Sequence, residues 1–319
     1  MMFSKLAVCM TNRCSAACDM CCFGCSPKKK THLSTEQIKS SIRQAAETGA
    51  FKSVGFTGGE PFLYYDQLLE CSAYGKELGL RITINTNGFW AKNEKLAREK
   101  LLALREAGVE YLSFSADSYH QAYVPVDVLR AALRLTYECG MQSSLSIMET
   151  VDSQDLITYT EALRPEIYLT ALTPHPMLPI GKAMESFSED KYIRFFETKE
   201  AKCTFMGLLQ LNFDGNYYMC CSQFCREIPP TNLGKASEVE IKDTERMITS
   251  NDYLYVMLRH GFIWYIDLAK KKGFEIPDYL CSPCHCCYFV FRNKKLMSAI
   301  EEEVREEAGR LRVQHLLGN

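Results

Sequence analysis

Three cysteines near the N-terminus have a spacing that suggests metal chemistry. Cys14, Cys18 and Cys21 form a C-x3-C-x2-C pattern in one loop after a short apolar run. Three thiolates can bind three irons of a four-iron cube and leave the fourth iron open to an outside ligand, whereas electron-transfer clusters take four cysteines. The alternatives are a zinc knuckle or a chance grouping, because zinc prefers four ligands in paired short spacings and Cys22 and Cys25 lie nearby.

The residues around this loop form repeated strand and helix patterns. Short β-branched runs alternate with helical patterns from Lys5 to about Ala171, which is typical of successive βα units. We predict six parallel strands at LAVCM, SVGFT, RITIN, YLSFS, SLSIM and IYLTA, with a capping box of Ser34 and Gln37 opening the first helix. Six units are too few for a closed eight-strand barrel, so we expect an α/β fold with a partial (β/α)6 TIM-like barrel and its chemistry at the carboxyl ends of the strands.

The second part of the chain has a different pattern. The predicted units are a partial barrel over residues 1–180, a small auxiliary domain over 181–292 and a C-terminal helix over 293–319. The proline-containing stretch from Thr173 to Gly181 is the expected linker. LQLNFDGNYYM is the expected hairpin, with Asp214-Gly215 as a two-residue turn. The charged C-terminal helix is expected to be a solvated flank.

Composition limits the class of protein. The 319 residues are 47% hydrophobic and 24% charged with a formal net charge of -2, which indicates a folded protein without overall attraction to nucleic acid or anionic membranes. The sequence shows neither an export signal nor an apolar stretch as long as a membrane span, so we expect a soluble, cytoplasmic protein. The sixteen cysteines then favour metal or catalytic use over disulfides.

Polar motifs follow the predicted strands in order. They are Gly58-Gly59-Glu60-Pro61 after the second strand, Asn85-Thr86-Asn87-Gly88 after the third, and Ser113, Ser115 and Asp117 after the fourth. With the cysteine spacing, these motifs resemble those of the radical S-adenosylmethionine superfamily. The resemblance implies that the open iron chelates S-adenosylmethionine, and that an electron from the cluster releases a 5′-deoxyadenosyl radical. The implied cofactor-binding residues are Met20, Gly58, Gly59, Glu60, Asn85, Asn87, Ser115 and Met148.

Met20 departs from the family pattern, which has an aromatic residue before the third cysteine, against the adenine. A thioether packs on a purine face, so we expect altered adenine packing without loss of function. Asp117 is expected to act in catalysis by contacting the cofactor or the backbone amides of a peptide. His120 lies nearby and is interpreted as a surface histidine at least as readily as a substrate contact.

A second group of cysteines lies beyond the predicted barrel. Cys203, Gly215 and Cys220 form C-x11-G-x4-C across the hairpin, and Cys281 and Cys284 form a distant C-x2-C pair. The pattern resembles the auxiliary-cluster domain called twitch, a SPASM-like unit, and implies a second [4Fe-4S] cluster on those four cysteines. A structural zinc site would use the same residues. Three neighbouring cysteines compete as ligands, namely Cys221, Cys286 and Cys287.

Cys221 directly follows Cys220, and adjacent residues of an extended strand face opposite sides. If one thiolate binds the cluster, the other is left to face the barrel mouth. The chain resembles the radical peptide epimerases, which make D-residues in ribosomally synthesised peptides, in stretches such as FTGGEPF, NTNGFW and LRHGFIWYI. The resemblance implies that Cys221 returns a hydrogen atom to the peptide after the adenosyl radical has removed the α-hydrogen. The alternative is that Cys221 is a structural thiol.

The resemblance also implies partners and cofactors. They are two [4Fe-4S] clusters, S-adenosylmethionine, a ribosomally made precursor peptide and an external electron donor such as a flavodoxin or ferredoxin. Because the first strand begins near Lys5, we expect peptide recognition to use the barrel rim, the second domain or another protein. Two alternative functions stay open: a maturase that forms a thioether or carbon–carbon crosslink, and a non-enzymatic zinc or iron–sulfur scaffold.

Overall fold

Strands and helices alternate through the part of the chain that this computed structural model describes, residues 2–203, 207–220, 222 and 224–317. The strands are β1 (Lys5–Cys9), β2 (Ser53–Thr57), β3 (Arg81–Thr86), β4 (Val109–Ser115), β5 (Gln142–Glu149), β6 (Ala171–Pro176), β7 (Phe196–Glu197), β8 (Leu208–Leu211), β9 (Asn216–Tyr218), β10 (Asn232–Lys235) and β11 (Tyr279–Leu280). The helices are α1 (Thr35–Glu47), α2 (Tyr65–Glu77), α3 (Glu94–Glu106), α4 (Ser118–Gln121), α5 (Val126–Glu138), α6 (Asp155–Ala162), α7 (Lys182–Ser186), α8 (Thr244–Ser250), α9 (Asp252–His260), α10 (Phe262–Lys271), α11 (Pro283–Arg292), α12 (Lys294–Ala299) and α13 (Glu301–Leu316).

One large sheet organises the fold. Its strand order is β10-β9-β8-β1-β2-β3-β4-β5-β6, and β7 pairs separately with β11. Strands β1 to β6 run parallel, with helices between them, which confirms the predicted α/β architecture. The start of α1 shows the predicted capping box, because the Ser34 hydroxyl accepts from Gln37 N and the Gln37 side chain accepts from Ser34 N.

The helices cover one face of the sheet. Ile82 of β3 lies on Gly75 of α2, and the Tyr217 hydroxyl of β9 lies 2.6 Å from the Ser41 hydroxyl of α1. Because side chains alternate along a strand, neighbouring residues face the other side, here called the inner face. Small polar side chains line this inner face, including Thr57, Thr83, Asn85, Ser113, Ser115, Ser144 and Ser146. Closed TIM barrels instead fill their interior with bulky branched residues.

The sixth strand begins later than the run IYLTA predicts. Glu166–Leu169 form a 3₁₀ turn, and β6 takes up the first part of the expected linker. Strand β6 lies at an edge of the sheet. Met177 N donates to Glu149 O of β5, so the backbone nitrogens of Pro174 and Pro176, which alternate with it, point away from β5. Proline has no backbone N–H to donate, and an edge strand tolerates it on the side where no neighbouring strand accepts a hydrogen bond. This explains why the sequence pattern placed the sixth strand too early.

The predicted hairpin belongs to the same sheet. Strand β8 pairs in parallel with β1 and antiparallel with β9. Its turn is longer than expected: Asn212 N donates to Asn216 O, so Phe213, Asp214 and Gly215 form the loop, and Gly215 has a φ of +79° that favours glycine. The sheet therefore continues beyond residue 180, and the proposed division into domains stays a prediction.

The C-terminal helix packs against the protein and is not the solvated flank that its charge suggests. Val304 and Ala308 of α13 are buried, and Arg312 Nη1 lies 2.6 Å from Asp252 Oδ1 of α9. A mainly charged helix still docks when one narrow stripe of it is apolar. Across the described ranges, none of the helices has the length and apolar composition that crossing a membrane requires.

Candidate functional site

The three cysteines of the N-terminal loop lie close to one another after β1. Leu33 N donates to Met10 O at 2.9 Å, which closes the loop. Burial raises the pKa of Cys18, and the charges of Cys21 and Cys14 raise it further. Among the described residues, no three His, Cys, Asp or Glu side chains converge as closely as a single metal ion requires. A four-iron cube binds each thiolate on a different iron.

Hydrogen-bond donors point at two of these sulfurs. Ala16 N donates to Cys14 Sγ at 3.4 Å, and Asn87 Nδ2 donates to the same atom at 3.7 Å. Cys25 N donates to Cys21 Sγ at 3.3 Å. A hydrogen bond from the Cys25 thiol is the largest cause that lowers the pKa of Cys21, to about 6, which favours the thiolate. Such donors stabilise cluster-bound thiolates, so these residues fit an iron–sulfur cluster.

Gly58 and Gly59 bring the loop after β2 onto the backbone of the cysteine loop. Gly59 N donates to Thr11 O at 2.6 Å, and a Cβ on Gly59 would lie 2.0 Å from Arg13 O. Gly58 has a φ of +130°, and a Cβ there would lie 2.6 Å from Thr11 O. Any larger residue would push the two loops apart. The glycines thus approach protein backbone here, and their contact with the cofactor stays a prediction.

Glu60 is fully buried and connects the ends of β2 and β3. Its carboxylate accepts hydrogen bonds from Phe62 N at 3.1 Å, Thr86 Oγ1 at 2.8 Å and Asn87 N at 2.8 Å. Asn87 Nδ2 in turn donates to Ser15 Oγ at 2.9 Å. Glu60 therefore positions Asn87 beside the cysteine loop, and direct contact of Glu60 with the cofactor stays a prediction.

Glu60 makes the stability of the protein dependent on pH. Burial is the largest cause that raises its pKa from the usual 4.5 to about 7, against the hydrogen bonds from Asn87, Phe62 and Thr86. The folded state then binds the proton more tightly than the unfolded state, so this stabilisation is complete below pH 4.5 and is lost as the pH rises through 7. The loss amounts to about 3 kcal/mol.

Glu60→Gln should remove this pH dependence. Urea unfolding of iron-free wild type and variant at several pH values between 4 and 8 measures it. We expect the free energy of unfolding of the wild type to fall relative to that of the variant across this range. A constant difference between the two proteins would contradict the raised pKa of Glu60.

Asp117 is buried at the carboxyl end of β4, where it holds His120. The two carboxylate oxygens lie 2.8 and 2.9 Å from His120 Nδ1, and Oδ2 accepts from Met148 N at 3.3 Å. Burial is the largest single cause and lowers the pKa of His120, but the charge and hydrogen bond of Asp117, with the charges of Cys21 and Glu60, together leave this pKa above the usual 6.5. The Asp117 carboxylate therefore favours the protonated form of His120 beside the first site.

The remaining predicted cofactor residues lie in two places. Met20 is buried in the same cluster as Cys18, and Met148 packs against that cluster. Asn85 and Ser115 lie on the inner face of the sheet, at the carboxyl ends of β3 and β4. The structure thus brings the two methionines to the cysteine loop, while the two polar residues line the barrel interior.

A second set of thiols forms between the hairpin and α11. Burial raises the pKa of Cys287, and the charges of Cys220, Cys203, Cys284 and Cys286 raise it further, so these five thiols lie within electrostatic range. Cys284 and Cys287 share one face of α11 at a spacing of three residues. The predicted ligand Cys281 instead packs in the buried cluster beside the first site. The structure therefore brings Cys287 near Cys203, Cys220 and Cys284, and the predicted ligand set with Cys281 stays a prediction.

Two residues near these sites have roles that the sequence interpretation did not assign. Asp117 is the N-cap residue of α4, and His120 follows it three residues later, so the two side chains meet at the start of this helix. That spacing was the signal in the sequence for their contact. Cys25 carried no signal beyond its position in a cysteine-rich loop, because its contact with Cys21 depends on the loop conformation. Cys221, the expected hydrogen donor, lies outside the described residues.

Comparison with known families agrees with this site. Residues 8–143 match the family described as the Radical SAM superfamily. The segment from β1 to the beginning of β5 is therefore a radical SAM domain, a class of protein that uses S-adenosylmethionine and a [4Fe-4S] cluster. The donors around Cys14 and Cys21 fit such a cluster, with Cys18 as the third ligand.

Individual relatives extend the similarity beyond that domain. "Putative peptide biosynthesis protein YydG" of Bacillus subtilis (strain 168) is 27% identical over 301 residues, which are 92% of this chain and 93% of that protein. Fe-coproporphyrin III synthase of Methanosarcina barkeri (strain Fusaro / DSM 804) is 30% identical over 153 residues, which are 46% of this chain and 37% of that protein.

Solved structures share the fold. Streptococcus suis SuiB bound to the precursor peptide SuiA has a TM-score of 0.60 at 14% identity, covering 90% of this chain and 76% of that chain. Native anSMEcpe with bound AdoMet and a peptide has a TM-score of 0.55 at 15% identity, covering 97% of this chain and 99% of that chain. At these identities the likeness concerns the fold alone, and it supports the partial barrel.

Proposed function

We propose that this protein is a radical S-adenosylmethionine enzyme that converts L-residues to D-residues in a ribosomally synthesised precursor peptide. The class of substrate is supported by the relatives, since YydG is described as a peptide biosynthesis protein and the SuiB structure contains a precursor peptide. YydG carries the greater weight, because its similarity covers 92% of this chain and so includes the region beyond the radical SAM domain.

The observation that carries the proposed inversion is the position of Cys220 in the second set of thiols. If Cys220 binds a second cluster, its direct neighbour Cys221 is left as a thiol outside the ligand set of that cluster. The proposed ligands of this second [4Fe-4S] cluster are Cys203, Cys220, Cys284 and one of Cys281 and Cys287. The proposed donor of the hydrogen atom is Cys221.

The chemistry is redox-neutral for the peptide. When bound, the first cluster and S-adenosylmethionine supply a 5′-deoxyadenosyl radical, which removes the α-hydrogen of an L-residue. The S–H bond of Cys221 then breaks homolytically, and a new C–H bond forms on the opposite face of the α-carbon. The sulfur radical left on Cys221 takes up one electron from the external donor and one proton from solvent before the next turnover.

Reaction in deuterium oxide tests this function. The probe is a synthetic peptide with the sequence of any short open reading frame encoded beside this gene, incubated anaerobically with the reconstituted enzyme, S-adenosylmethionine and dithionite. We expect one α-deuterium for each modified residue and D-residues after hydrolysis, because the donor thiol exchanges with solvent. Loss of two hydrogens without D-residues would instead indicate a crosslinking maturase, and an unchanged peptide would contradict peptide modification.

Cys221→Ala tests the assigned donor. The variant should form 5′-deoxyadenosine and abstract the α-hydrogen, yet it should make no D-residue above background, because no thiol returns the hydrogen from the opposite face. Cys139→Ala is the matched control, since Cys139 ends α5 and takes no part in either thiol set. If Cys221→Ala inverts residues at the rate of the control, another group is the donor.

A further inference from the structure

Two buried carboxamides on and beside β8 have polar atoms without hydrogen-bond partners. Gln210 is 2% exposed and its Nε2 is unpaired, while Asn212 is 0% exposed with both Nδ2 and Oδ1 unpaired. Buried polar groups are almost always paired, because removing them from water without a partner costs free energy. Two such side chains at alternate positions of one strand therefore suggest a ligand.

Both carboxamides face the inner side of the sheet. Leu211 lies between them and pairs with Tyr217, whose hydroxyl contacts Ser41 of α1, so Leu211 faces the helices. Alternation along the strand then directs Gln210 and Asn212 to the opposite face. This is the face that carries the polar lining of the barrel.

The two strands beside Gln210 differ in the side chains that they place next to it. On one side Gln210 lies beside Ala7 of β1, and Ala7 lies beside Gly55 of β2, so neither residue has a side chain beyond Cβ. On the other side Gln210 pairs with Tyr218 of β9, a buried residue whose hydroxyl donates to Asp214 Oδ2 at 2.9 Å. Toward β1 and β2, the inner face beside Gln210 thus has small neighbours and an unpaired polar group.

Asn212 is connected to segments of both thiol sites. Phe213, the next residue, packs edge-on against Phe23 of the cysteine loop with ring centroids 5.9 Å apart. From Asn212 the hairpin leads to Cys220 of the second thiol set. Under the proposed function, the peptide meets groups at both sites, and Asn212 lies on the segment that joins them.

We propose that Gln210 and Asn212 bind main-chain amide groups of the substrate peptide, an inference that rests on the proposed function for the class of ligand. A carboxamide offers an N–H donor and a C=O acceptor, which match the two polar groups of a peptide bond. Both lie beyond the radical SAM domain, whereas the carboxamides predicted to bind the cofactor, Asn85 and Asn87, lie within it. Because both side chains are closed to solvent here, entry requires the hairpin and the cysteine loop to separate at the contact of Phe23 with Phe213.

Two peptide probes that have no side chains for the protein to recognise test this site. Acetyl-pentaglycine amide has main-chain N–H groups, and acetyl-pentasarcosine amide lacks them within its chain. The variants are Gln210→Met, Asn212→Leu and the double variant, which keep a similar side-chain shape but remove the carboxamides. Gln67→Met is the matched control, because Gln67 also has an unpaired buried oxygen but lies on α2, where its Nε2 bonds to Leu33 O.

Saturation-transfer NMR on the holoenzyme measures binding. We expect transfer to pentaglycine amide in wild type and Gln67→Met, at least severalfold weaker transfer to pentasarcosine amide, and a severalfold loss for pentaglycine amide in each single variant. Thermal unfolding without peptide should show Gln210→Met and Asn212→Leu at or above the wild-type midpoint, because neither loses a hydrogen bond at the unpaired atoms.

Several results would overturn the inference. They are absence of transfer to pentaglycine amide in the wild type, equal transfer in wild type and double variant, or a lowered midpoint in both single variants, which would mean that buried water satisfies the carboxamides. If Asn212→Leu does not fold, Gln210→Met alone decides by the same criteria. Binding is measured without turnover, so this test can fail while the inversion stands, and the inversion can fail while peptide binding stands.

Discussion

Cys18→Ala is expected to remove the iron of the first site and to abolish cleavage of S-adenosylmethionine. Three thiolates are the minimum that holds a four-iron cube with one open iron, and two cannot keep it in place. Iron content after anaerobic reconstitution and 5′-deoxyadenosine formed under dithionite measure the effect. We expect the iron per chain to fall by about half if a second cluster is present, with no 5′-deoxyadenosine above background.

The control for this experiment is Cys71→Ala. Cys71 is a fully buried core residue of α2, and its loss should leave both iron and cleavage intact. Full iron content in Cys18→Ala would mean that the site is built on other ligands. Zinc in place of iron in the wild type would support the non-enzymatic scaffold and would remove the basis for radical chemistry.

Cys287→Ala is expected to remove the second cluster, whereas Cys281→Ala should retain it. Cys287 lies within the electrostatic range of Cys203, Cys220 and Cys284, while Cys281 packs beside the first site. The four residues Cys284-His285-Cys286-Cys287 also form a C-x2-C pair, so the choice between the two pairs depends on where α11 places its thiols. Iron content and the EPR spectrum of the reduced protein measure the difference.

The expected result is a loss of about half the iron in Cys287→Ala, with cleavage of S-adenosylmethionine at the first site retained. Cys286→Ala is the matched control, because Cys286 lies on the same helix but is fully buried at a different angle around its axis. Loss of iron in Cys281→Ala with none in Cys287→Ala would restore the ligand set that the sequence pattern predicts.

Local features of this protein follow from the sequence. The capping box at Ser34, the first five parallel strands and the order of the polar motifs after them are encoded within a few residues each, so periodicity and turn chemistry suffice to predict them. The spacing of Cys14, Cys18 and Cys21 is equally local, because one loop carries all three thiols. These elements are enough to predict a radical S-adenosylmethionine domain.

Features that join distant segments were decided by the tertiary structure. Pairing of β8 with β1 depends on two runs about 200 residues apart, and no local pattern specifies which edge a hairpin joins. The prolines of β6 are tolerated because that strand lies at an edge, which only the completed sheet determines. The proposed choice of Cys287 over Cys281 likewise depends on how α11 docks, since a side chain's direction on a helix has meaning only relative to its neighbours.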